Sequence, residues 1–142
     1  MRRVVLRHKL IGDILDACNK QLLKEPDNIE ILMARGVALN LAERYTDAIT
    51  DFVKIIKKTS NVSSYYLKSD CHYQLQEFEE AKKDFMRATL LEDNPDMDMK
   101  DIEDVLVPDE TELEEVELIL EYERNKAILK SFPNLSEDIN LN

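Results

Sequence analysis

Two consecutive segments of 33 residues decide the fold: 29–61, IEILMARGVALNLAERYTDAITDFVKIIKKTSN, and 62–94, VSSYYLKSDCHYQLQEFEEAKKDFMRATLLEDN. Laid over one another, they put Gly36 on Ser69, Tyr45 on Phe78, Ala48 on Ala81, Phe52 on Phe85 and Ile55 on Ala88. Two pairs match small on small and two ring on ring, with Ile55 on Ala88 the exception. A fixed period of this length marks stacked units, none of which buries its apolar face alone. Each segment reads as a helical hairpin. Apolar spacing predicts helices over about 28–42 and 46–59, joined by a turn at Glu43-Arg44, and again over about 62–76 and 78–92. The expected core is Ile29, Leu32, Val37, Leu39 and Leu41 with Ala48, Phe52 and Ile55, then Tyr65, Leu67 and Leu75 with Phe78, Ala81, Phe85, Ala88 and Leu91. Gly36, Ser69, Ala48 and Ala81 are small where paired helices must approach closely.

Working outward, the pattern resembles the tetratricopeptide repeat. Gly36, Ala48, Phe52, Ala81, Phe85 and Ala88 stand at its small and aromatic positions, Leu32 where tryptophan is usual, and Tyr65 closer to type. Arg35 and Lys68 depart from the usual leucine and Ile55 from alanine, and the period is one residue short. Pro26-Asp27-Asn28 looks like the junction closing an earlier unit, so residues 3–26 resemble a half-repeat, the second helix of a unit whose first is missing. The resemblance covers about two-thirds of the chain. It implies an all-α, TPR-like helical hairpin solenoid: an array over 1–94 with two full repeats and flanking capping helices.

Composition agrees with that class. The chain has 142 residues, 44% of them hydrophobic, with only 2 glycines and 4 prolines, which favours one helical domain with short connections. The net charge of −11 is unevenly spread, about +3 over residues 1–70 and −14 over 71–142. An acidic surface repels phosphate backbones, so no nucleic-acid partner is expected. No apolar run is long enough for a membrane span. The first twelve residues lack acids and carry Arg2, Arg3, Arg7 and Lys9, as mitochondrial presequences do, and a mitochondrial location stands as the alternative to a cytoplasmic one. Against it, Leu6, Leu10, Ile14, Cys18 and Leu22 make a four-residue stripe that reads as a helix of the fold.

Beyond Leu91 the sequence changes. Residues 95–110 read as an acidic linker with a helical turn near 98–106, and their aspartates fail the calcium-loop pattern for want of a glycine and a final glutamate. Thr111 and Glu114 form a capping-box pattern that opens a helix over 111–132, with Leu113, Val116, Ile119, Leu120 and Ala127 on its apolar face. This helix is expected to cap the array, and 133–142 to be a flexible tail.

Chemistry is sparse. His8 and His72 lie in separate helices, Cys18 and Cys71 match no disulfide or zinc spacing, and no glycine-rich phosphate loop exists. No catalytic residue, metal site or cofactor is expected, and the chain reads as a non-enzyme. By the family's register, the concave groove would be lined by Glu30, Met33, Val37, Asn40, Ser63, Tyr66, Asp70 and Tyr73. Val37 and Asp70 replace the asparagines, and Met33 and Tyr66 the lysines, of a chaperone-tail carboxylate clamp, which disfavours a co-chaperone. The groove implies an apolar or basic protein or peptide partner, held by an adaptor or by a fixed subunit of a larger assembly. Equally open is that the C-terminal helix fills it. A second candidate is the outer basic surface of Lys54, Lys57, Lys58, Lys82, Lys83 and Arg87, much of it expected to pair with neighbouring acids.

Overall fold

The computed structural model describes residues 2–133, with side chains from His8 onward. Leu6 of the expected α1 stripe and the tail expected beyond Pro133 lie outside the described side chains. The described chain is helical throughout: α1 (Arg2–Lys24), α2 (Ile29–Leu41), α3 (Tyr45–Lys58), α4 (Val62–Gln74), α5 (Phe78–Asp93), α6 (Met99–Glu103) and α7 (Leu113–Ser131).

The period of 33 is written into the backbone. Asn28 caps α2 by accepting from the Ile31 amide at 3.2 Å, and Asn61 caps α4 by accepting from Ser64 at 2.8 Å. Both helices stop in the same way. The amides of Glu43 and Arg44 donate back to the Asn40 and Leu39 carbonyls, and those of Gln76 and Glu77 to Tyr73 and His72. This Schellman closure puts Glu43 and Gln76 at φ of 61° and 63°, where glycine is usual. The two hairpins α2–α3 and α4–α5 stack through α3 and α4, and α1 packs on α2 in the place of a preceding second helix.

Gly36 meets a close approach. A Cβ there would lie 2.6 Å from the ring of Phe52, which is fully buried. Ser69 takes the equivalent place and its hydroxyl donates to the Ala81 carbonyl at 2.6 Å. Leu32, Val37, Ala48, Phe52, Ile55, Leu67 and Leu91 are buried as expected.

Several expectations need correction. Leu75 is 39% exposed, because it follows the last turn of α4 and points off the end. The inward face of α1 is Ile11, Cys18 and Leu22, with the half-buried Leu15 packed against the core; Leu10 and Ile14 are half-buried. Ile119 faces outward. The capping box is not formed: α7 begins one residue later than that pattern requires, with Glu112 as its cap and no side-chain cap bond, while the Thr111 amide is used in a turn to Pro108. The acidic segment 95–110 is more than a linker. It contains α6, whose Ile102 is fully buried in a cluster with Tyr65, Ala88 and Leu91.

Candidate protein-binding surface

α2 and α4, the first helices of the two hairpins, lie side by side, and α7 lies across both. Residues of α7 complete the interior: Ile128 joins Leu32, Val37 and Leu67 in one cluster, and Val116 and Leu120 join Tyr65 and Tyr66 in the other. All three α7 residues are 1% exposed. Burying each contributes about 1.5–3 kcal/mol, so α7 is part of the core and not a loosely laid strap.

Polar contacts fix its position. Asp70 is 1% exposed, and its carboxylate accepts from Arg124 of α7 at 2.9 Å and from the Asn40 amide of α2 at 3.0 Å. Gln74 donates from 3.5 Å. Three helices therefore share one buried carboxylate. Burial, and next Glu117 of α7, push the Tyr73 phenol up. Tyr66 donates to Glu92 at 3.2 Å and packs edge-on against Phe85. Burial, and next the Asp70 charge, push the Cys71 thiol well up, although the Asn40 amide and Arg124 act against them. Such a thiol is not a nucleophile at neutral pH.

The eight groove positions fare differently under this cover. Val37, Asn40, Tyr66 and Asp70 are buried; Met33, Ser63 and Tyr73 are half-buried; Glu30 is exposed. Between Asp70, Tyr73, Glu117, Leu120 and Arg124 there remains a crevice of about 30 Å³. That volume suits a water molecule, not a peptide.

The opposite face explains the two departures at Arg35 and Lys68. Arg35 forks onto Asp51 of α3, Nε to Oδ2 at 2.8 Å and Nη2 to Oδ1 at 2.7 Å, and also reaches the Asn19 side chain of α1 at 3.1 Å. Its guanidinium pKa is raised chiefly by the bond to Asp51. One period later, Lys68 approaches Asp84 of α5 at 3.3 Å, and Arg87 donates to the same carboxylate at 2.8 Å. Both aspartates are 1% exposed. Sequence reasoning missed this pair, although a signal existed: opposite charges recur at the same phase of both units. A cleft of about 240 Å³ lies between α1 and α3, but its charged groups are already matched, Arg35 with Asp51 and Arg44 with Asp47.

The outer basic surface is largely neutralised. Lys58 pairs with Asp27, Lys82 with Glu79, Lys83 with Glu80 and Arg87 with Asp84; Lys54 and Lys57 have no ion-pair partner among the described residues. Among the described residues no group of three or more His, Cys, Asp or Glu is placed to hold a metal ion, and no helix is long and apolar enough to cross a membrane.

Hairpins stacked at a fixed period, with small residues at the crossings, define a helical-repeat solenoid. The second unit identifies itself directly: residues 62–95 match the family described as Tetratricopeptide repeat. No curated protein and no solved structure matches the chain.

Proposed function

We propose that this chain is a non-catalytic protein-interaction module whose concave face is closed by its own C-terminal helix, so that partners dock on the outside of the closed body. Tetratricopeptide repeats are protein-binding units in general, and a fixed subunit of an assembly fits this design as well as a free adaptor. The observation that carries the reading is the seat of α7: three fully buried apolar side chains and the Arg124–Asp70 bridge at 2.9 Å.

A second reading has its own support. Asp70 is a buried carboxylate that needs a cation. A basic peptide presenting one would satisfy it as Arg124 does, using Met33, Val37, Asn40, Tyr66 and Tyr73 once α7 has left.

Loosening α7 separates the two readings. An Arg124→Ala/Leu120→Ala protein would be compared with the unmodified chain by crosslinking mass spectrometry of captured partners. If partners dock on the closed body, capture stays equal or falls, and crosslinks avoid Tyr66 and Tyr73. If capture rises and crosslinks move onto α2 and α4, the groove is the binding site and the closed reading is wrong.

A further inference from the structure

α7 is apolar on two opposite faces, and the fold uses only one of them. Val116, Leu120 and Ile128 point into the array. Leu118, Tyr122 and Leu129, spaced by four and seven residues, stand on the outer side with 67%, 65% and 48% exposure, and Ile119 adjoins them at 40%. At a rise of about 1.5 Å per residue the stripe is roughly 16 Å long. Large apolar side chains exposed on one side of a well-packed helix mark an interaction surface.

Its surroundings say what fits it. Glu114, Glu115 and Glu121 are exposed around the N-terminal part of the stripe, and no salt bridge neutralises any of them among the described residues. The cations of α7 lie away from that acidic end: Arg124 is committed to Asp70, Lys126 pairs with Glu123 at 3.5 Å with its ammonium 5.9 Å from the Tyr122 ring, and Lys130 stands in the last turn. The chain carries a net charge of −11. A second copy would bring like charges together, and anionic lipid or nucleic-acid phosphate would be repelled.

We infer that the outer face of α7 docks a basic amphipathic helix of another protein, its apolar side on Leu118, Tyr122 and Leu129 and its cations toward Glu114, Glu115 and Glu121. The inference rests on the closed body proposed above and names the surface and partner chemistry that body offers. Helix-on-helix packing supplies the affinity, and the acidic end sets the direction in which the partner lies.

The test uses the full chain, isotope-labelled for NMR, and a synthetic Leu/Arg helix about 18 residues long, or five turns. Controls are a scrambled peptide of equal charge, one with glutamate in place of arginine, and one with its arginines confined to the opposite end. Saturable shifts confined to the outer face of α7 support the inference. So does an affinity drop of about tenfold in Leu118→Ala/Tyr122→Ala, and a switch toward the acidic peptide in Glu114→Lys/Glu115→Lys/Glu121→Lys. All these sites are exposed, and circular dichroism verifies that helicity is kept. Equal binding of the scrambled peptide overturns the inference, as does sedimentation showing a dimer that buries Leu118 without peptide. Shifts that spread to Val116, Leu120, α2 and α4 mean that α7 has been displaced, and then the closed body itself fails. A seated α7 whose outer face does not respond sinks only this inference.

Discussion

The two repeats solve one packing problem with different chemistry. In the first, glycine lets the Phe52 ring lie against α2, and a forked arginine ties α2 to α3 through Asp51. In the second, Ser69 bonds to a carbonyl of α5, and Asp84 is shared by Lys68 and Arg87. Toward the concave side the contrast is sharper: Val37 in the first unit is apolar, and Asp70, one period on, is a buried charge answered by α7. The first repeat is built mainly by shape. The second is built by charges and hydroxyls, each of which needs its partner. Buried polar groups of that kind specify one arrangement and are costly when half-satisfied.

The largest expected effect is alkaline. Burial raises Cys71, Tyr65 and Tyr66 in the second repeat, against Tyr45 alone in the first. A raised folded pKa means that the stability is fully present below the ordinary values, 9.0 for the thiol and 10.0 for the phenol, and is lost as pH rises beyond them. One unit of pKa difference corresponds to about 1.4 kcal/mol, so three raised groups make the second repeat the more sensitive to alkali. Urea midpoints should stay flat from pH 7 to about 8.5 and fall steeply above pH 10. Hydrogen exchange should show α4 opening before α2; simultaneous opening would remove the contrast between the repeats.

Next comes Asp84→Ala. It strands Lys68, 19% exposed, leaves Arg87, 14% exposed, with Glu103 alone, and should cost about 3 kcal/mol. Asp51→Ala leaves one cation, Arg35, at 23% exposure with the Asn19 amide still in reach, and should cost about 2 kcal/mol. Denaturant melts that rank these two the other way would mean the shared carboxylate is no more demanding than the forked one.

Shape against bonding is tested by Gly36→Ala and Ser69→Ala. The first drives a methyl into the Phe52 ring and should destabilise by about 2 kcal/mol despite alanine's better helix propensity. The second deletes one hydrogen bond and should cost about 1 kcal/mol.

The smallest effect is a gain. Glu43→Gly and Gln76→Gly remove side chains held at positive φ and should each raise stability by up to about 1 kcal/mol, equally in both repeats. Unequal gains in thermal melts would show that the two closures are less alike than their dihedral angles.

The period, the helix boundaries and most of the core were readable because small and aromatic residues recur at fixed phase. Local rules were weaker where the chain had several ways to satisfy them. Thr111 matched a capping pattern, yet its amide was drawn into a turn with Pro108. On α1, leucine and isoleucine stand next to each other at 10–11 and 14–15, so two stripes compete, and packing chose Ile11 and Leu15 over Leu10 and Ile14. Arg35 and Lys68 read as misfits because their carboxylates stand 16 residues away on the next helix. The register gathered Val37, Asn40, Tyr66 and Asp70 on one side. What covers them depends on a contact 54 residues away, Asp70 with Arg124; Val116, Leu120 and Ala127 were legible as the inward face of that helix, but its seat on the array was not.

The seat of α7 also sets an order of events during synthesis. The last residue of α5, Asp93, leaves the ribosome 38 residues before the last of α7, Ser131. At about 5–20 residues per second this is an interval of roughly 2–8 s. Through it the hairpins α2–α3 and α4–α5 have been made while Val37, Tyr66 and Asp70 still lack the cover of α7.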